Sequence, residues 1–226
     1  MNQMRFSSIA LLLAGLVAGC ATTPPPPPPQ AVSEITGKTC TDTPDLTKAI
    51  AMTPKRKAQW HAIATTIDGM SPCLNLDGKP SNYVVYALPS APSNHTLTIG
   101  GLYEAFRILG PLVTVLNADG QPIRSFPAER FANVGSTFGV QFRPSDEGRF
   151  VLVQTNPQTA GIEIKAFETQ LVTQTNYSYN PYTYGSSSYQ TQYGREGATV
   201  RKFSHEGVVS VTVQAVAGKI GLPNEK

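Results

Sequence analysis

Val209-Ser210-Val211-Thr212-Val213-Gln214 alternates apolar and polar residues without a break. Successive side chains of a strand point to opposite faces, so this pattern sets Val209, Val211 and Val213 on a core and leaves the residues between them to water. The same period recurs upstream in Thr96-Leu97-Thr98-Ile99, Phe138-Gly139-Val140-Gln141-Phe142 and Ile162-Glu163-Ile164-Lys165. Apolar runs at 83–88, 111–116 and 150–153 read as strands buried on both faces. Turn chemistry separates them: Asp119-Gly120, the stretch 144–148, and Asn156-Pro157. Asn117-Ala118-Asp119-Gly120-Gln121 between two apolar runs is a hairpin signal. Short strands with turn signals about every 8 to 12 residues predict a mainly β chain, an antiparallel, jelly-roll-like β-sandwich in a single domain over 38–218.

Helix is scarce in this pattern. The best candidate starts at Pro54, with Thr53 as N-cap, and runs towards Thr65. Trp60-His61-Ala62-Ile63-Ala64-Thr65 also reads as a strand, and 103–109 suggests one short helical turn.

The N-terminus addresses the compartment. Arg5 and the apolar run 9–17 form the n- and h-regions of an export signal over 1–19. The run is far shorter than the roughly 20 residues of a membrane-spanning helix. It ends in Val17-Ala18-Gly19-Cys20, where small residues suit a signal peptidase and the Cys20 thiol accepts a lipid. An ordinary signal peptide that happens to hold a cysteine is the plain alternative. Ala21, rather than Asp, points to the outer membrane, where the domain is expected on the periplasmic side, and more than one acyl chain makes a stable membrane anchor. Residues 20–37 read as the lipidated cysteine plus a tether, and 219–226 as a C-terminal tail. Prolines 24–29 form a stiff spacer rising about 3.1 Å per residue.

Only 15% of the chain is charged, and acids and bases nearly balance. Nucleic acid, which requires a concentrated basic footprint, is therefore not an expected partner. Lys55-Arg56-Lys57 is the one basic cluster; it reads as a solvated face, with phosphate contact at a lipid surface as the sharper alternative. With Cys20 lipidated, Cys40 and Cys73 remain as a pair for an oxidising compartment. A disulfide is the reading preferred over two free thiols or two metal ligands.

The segment 176–195 differs from the rest. Tyr177, Tyr179, Tyr182, Tyr184, Tyr189 and Tyr193 lie there among Ser, Asn, Gln, Thr and Gly, with no apolar period. It reads as a long polar-aromatic loop, either a mobile insertion or a binding element. Tyrosine offers a flat apolar face with a polar tip, which suits a sugar or a protein surface, so these six residues are the candidate ligand-binding set.

No motif for catalysis, metal or cofactor emerges. His61, His95 and His205 lack metal-ligand spacing, and His205-Glu206 lacks the second histidine of a zincin helix. There is no Gly-x-Ser-x-Gly elbow. Asp119, Asp146 and Glu147 sit beside turns. The sequence thus predicts a non-enzyme that uses no cofactor.

From Trp60 on, the chain resembles the maltose operon periplasmic protein family. The likeness is carried by Trp60, by Tyr83-Val84-Val85-Tyr86-Ala87-Leu88-Pro89 followed by Leu97-Thr98-Ile99, by Pro111-Leu112-Val113-Thr114-Val115-Leu116-Asn117, and by Phe126-Pro127 within 122–131. It fades through the tyrosine-rich segment. Cys40, Cys73, the Cys20 lipid signal and the proline spacer depart from the family pattern. The resemblance implies a periplasmic accessory of maltose and maltodextrin uptake, and carries over no site residue. The leading expectation is thus a non-catalytic, outer-membrane-anchored lipoprotein that binds an oligosaccharide or an envelope protein. The alternative is a structural or assembly lipoprotein docking onto a transport or secretion complex. An envelope hydrolase with an unrecognised site is the third class.

Overall fold

A computed structural model of the chain describes residues 24–53 and 60–215. The export signal 1–19, Cys20, the basic cluster at 55–57 and the tail 219–226 lie outside the described residues.

Two sheets form the body. One is built from β1 (Ile50–Ala51), β4 (Lys79–Ala87), β11 (Phe150–Thr155), β7 (Pro111–Leu116) and β8 (Pro122–Phe126), in that order, with β3 (Cys73–Leu76) pairing β4. The other runs β2 (Trp60–Ile67), β14 (Gly207–Ala215), β5 (His95–Leu102), β10 (Thr137–Phe142) and β9 (Ala132–Val134). Among the principal strands, the second sheet takes the first, last, third and sixth in chain order, and the first sheet takes the second, seventh, fourth and fifth. The pairs among these strands are antiparallel, while the short β1 runs parallel to β4. That alternation is the jelly-roll arrangement of interleaved Greek keys, as the strand spacing predicts.

The alternation at 209–214 appears as read. Val209, Val211 and Val213 are buried and face Tyr86, Val113, Val115, Val151 and Val153 of the other sheet across one core. The 83–88 run is covered on both faces. Tyr86 enters the main core, while Tyr83 and Val85 join Leu74, Leu116 and Leu152 in a second cluster on the outer face. The segment carrying Leu46 and Ala49 packs on that cluster, and the Cys40–Cys73 disulfide ties it to the sheet. The 117–121 turn also forms as expected. Asn117 Oδ1 accepts from the amides of Asp119 and Gln121, and Gly120 takes the left-handed conformation at φ 78°.

Three readings need correction. Residues 60–65 are strand rather than helix, because β2 finds a full antiparallel partner in β14, from Ile67↔Gly207 to Trp60↔Gln214. Residues 103–109 make no helical turn. They bend into β6 (Arg107–Leu109), whose Ile108 and Leu109 close one end of the core. The tyrosine-rich segment is not a loop but the outer part of a hairpin, β12 (Glu163–Asn180) and β13 (Gly185–Ser204). β6 joins β13 in parallel, and the three strands make a small third sheet.

Candidate functional site

The hairpin grows from one end of the sandwich. Its base is fixed there by packing and ladder hydrogen bonds. Ala166 is fully buried, Phe203 packs tilted against Phe138 with ring centroids 5.5 Å apart, and Lys202 to Ser204 pair with Arg107 to Leu109. Gly101 allows this docking: a Cβ there would meet the Leu109 carbonyl oxygen at 2.3 Å. Arg201 is 6% exposed; its guanidinium donates to the Glu104 carbonyl and lies over the Tyr103 ring. Arg107 donates to both Glu104 at 3.0 Å and Glu206 at 3.3 Å. These two acids therefore share one guanidinium.

The N-terminal segment docks at the same end. His205 N–H donates to the Val32 carbonyl at 2.8 Å, and the Val32 amide donates to Ser204 Oγ at 2.9 Å. Arg107 reaches the Gln30 carbonyl, and Lys38 donates to Asn82 Oδ1 at 2.8 Å. Bonded contact thus begins at Gln30, inside the stretch read as tether. Behind it lies a buried polar knot. Asn82 Nδ2 donates to the His205 carbonyl, His205 Nδ1 meets Thr155 Oγ1 at 3.3 Å, and Ser81 Oγ donates to the Thr155 carbonyl. Burial pushes the His205 imidazole pKa down, and a backbone hydrogen bond with Ser33 pulls weakly the other way.

Beyond this base the hairpin stands free. Side chains at 173–194 are exposed, apart from the half-buried Asn176. The rungs from Thr173↔Gln192 to Asn180↔Gly185 extend roughly 25 Å at about 3.3 Å per residue. Residues directly opposite share a face, so the register sorts the tyrosines. Tyr177 and Tyr179 lie on one face with Thr173, Thr175, Gln190 and Gln192; Tyr189 and Tyr193 lie on the other with Gln174 and Asn176. Tyr182 and Tyr184 occupy the turn, at 93% and 84% exposure. The six candidate residues therefore do not converge on one concave stacking floor, and each flat face of the arm is polar.

Sequence reasoning passed over a second signal. Between Glu168 and Arg195 there is no charged residue, and the register brings the two limits of this stretch to within two rungs of each other, Gln170↔Arg195 and Glu168↔Gly197, with Thr169↔Glu196 between. It also passed over the residues that fix the arm, namely Glu104, Arg107, Arg201 and Glu206.

A cleft of about 550 Å³ opens elsewhere, between the disulfide-tied strap and the edges of β2 and β4. Thr39, Thr41, Thr43, Thr65, Thr66 and Ser71 contribute to its wall, a hydroxyl-rich lining. Tyr83 closes one side, its hydroxyl accepting from the Asp45 amide at 3.0 Å. Asp119, Asp146 and Glu147 remain exposed at turns. Among the described residues no group of three or more His, Cys, Asp or Glu is placed to hold a metal ion. Comparison with family models, curated proteins and solved structures gave no match for this chain.

Proposed function

We propose that this chain is a non-catalytic, lipid-anchored envelope protein that engages another protein through its projecting hairpin. The free-standing arm carries this reading. A two-stranded hairpin without a hydrophobic face is marginal in water, so roughly 25 Å of exposed hairpin is better suited to meeting a partner than to supporting its own fold. Six tyrosines spread over both faces and the turn provide large contact area at low entropic cost. This favours the docking role over a sugar floor built by the same tyrosines. Accessory work in maltodextrin uptake rests on the resemblance at 83–89, 97–99 and 111–117, and export and lipidation rest on 1–19 and Cys20.

The test is site-specific photo-crosslinking of the full chain in its own cells, with a benzophenone side chain replacing Tyr177, Tyr182 or Tyr189. Discrete adducts at these positions, absent from the same probe at Ile123 on β8, are the expected result. A failure to trap any protein at all three would remove the docking role. The cleft supports one further reading, an oligosaccharide held by its hydroxyls. Calorimetric titration with maltodextrins checks it; heat lost on Thr65→Val and Thr41→Val would place the sugar there, and no heat would exclude maltodextrins as its ligand.

A further inference from the structure

We infer that the partner of the hairpin is a second copy of this chain, joined edge to edge through the rungs between Glu168 and Arg195. The inference rests on the docking reading above and names its occupant. Its starting point is the state of the two outer edges. β12 pairs with β13 alone, and β13 has a further neighbour, β6, only at Lys202 to Ser204. Over the remaining rungs each outer edge presents backbone N–H and C=O groups with no strand beside them among the described residues.

Natural sheets blunt such edges with lysines, prolines, bulges or covering loops, because an open edge templates pairing with another chain. None of these devices is present in the free part of the arm. No charge falls between Glu168 and Arg195, Pro181 stands in the turn rather than in a strand, and the register from Glu163↔Lys202 to Asn180↔Gly185 is unbroken. Uncharged edges bear directly on the identity of the partner. When identical strands associate, the like charges of the two copies are brought together, and like charges directly opposite destabilise a sheet. A stretch that excludes every charge, with its limits only two rungs apart on the two strands, meets that requirement for self-association. A strongly charged partner would find no complement on this arm.

Insertion into a bilayer fits less well. A membrane-spanning strand pair must turn an apolar face to lipid. Gln190 and Gln192 lie on one face of this hairpin, and Gln174 and Asn176 on the other. Pairing through backbone edges leaves both polar faces in water and needs no apolar face.

The experiment uses the full-length chain in its native membrane. A benzophenone side chain at Tyr177 on β12 and, separately, at Tyr189 on β13 is irradiated, and the adducts are identified by mass. Adducts of twice the chain mass, containing only this protein, are expected from at least one position. Adducts to other proteins alone would overturn self-pairing and leave the docking role standing, whereas adducts to nothing would remove both. A second measurement guards against chance proximity. Thr175→Lys on every copy reduces the self-adduct yield several-fold, and co-expression with Thr175→Glu copies restores it. A yield indifferent to both changes would overturn edge pairing. Residue 175 is exposed in the free part of the arm, so neither variant disturbs the sandwich.

Discussion

The Val32 carbonyl accepts a hydrogen bond from the His205 amide, which binds the N-terminal segment to the two-residue bend between the hairpin and β14. The imidazole of His205 is buried in the same place, against Thr155. Burial holds its pKa below the ordinary histidine value, so the folded state resists protonation while the unfolded chain does not. The stability it contributes is complete above about pH 6.5, the unfolded value, and is lost as pH falls through the folded one. Urea midpoints measured from roughly pH 7.5 down to 5 should therefore decline. His205→Gln should flatten that decline, and hydrogen exchange at residue 205 should accelerate on acidification of the unsubstituted protein. A slope unchanged by the substitution would assign the acid sensitivity elsewhere.

Tyr86 gives the opposite sign. It is fully buried in the main core, its hydroxyl meets no partner in good hydrogen-bond geometry, and burial pushes its pKa up to about 12. A weak interaction with Thr65 offsets only part of that rise. Stability from this group is complete below about pH 10 and is lost as pH climbs towards the folded value, at most about 2 to 3 kcal/mol. Tyr86→Phe should be close to neutral at pH 7, since it removes an unpartnered hydroxyl. It should also unfold less steeply than the parent in an alkaline urea series.

The Cys40–Cys73 bond closes a loop over a sequence separation of 33. In the chain-entropy account a loop of this size contributes about 3 to 4 kcal/mol. Reduction, or Cys40→Ser with Cys73→Ser, should lower the urea midpoint accordingly. Because the bond holds the strap over Leu74, Tyr83 and Val85, proteolysis within 39–49 should appear in the reduced protein first. Unchanged resistance there would mean that packing of Leu46 and Ala49 suffices.

Gly101→Ala tests how the arm is seated. The added methyl meets the Leu109 carbonyl oxygen, part of the backbone of β6, and cannot be relieved by a rotamer change. Overpacking of this kind costs about 1 to 3 kcal/mol. The expected signature is local, with faster hydrogen exchange at 107–109 and 202–204 than in β4 or β11. Uniform destabilisation would mean that β6 belongs to the sandwich rather than to the seat of the hairpin.

What could be read from the residues follows burial. Val209, Val211 and Val213 announced their strand because one face is a core; the cysteine pair followed from counting. Residues 60–65 stayed ambiguous because their state is decided by pairing with β14, a contact distant in sequence. The hairpin escaped because period-two reading detects a difference between faces, and Tyr177 with Gln190 on one side matches Tyr189 with Gln174 on the other. Backbone pairing with no buried face leaves no apolar trace in a sequence.

The seam at Val32 also sets a path for mechanical load. Tension applied through prolines 24–29 meets the Arg107 contact at Gln30, then Val32, and passes into Ser204 and His205 before it reaches the valines of the core. A pull from the N-terminus therefore strains the hinge of the arm first, and a tug on the arm is felt at the N-terminal segment, with the sandwich as the rigid frame between them.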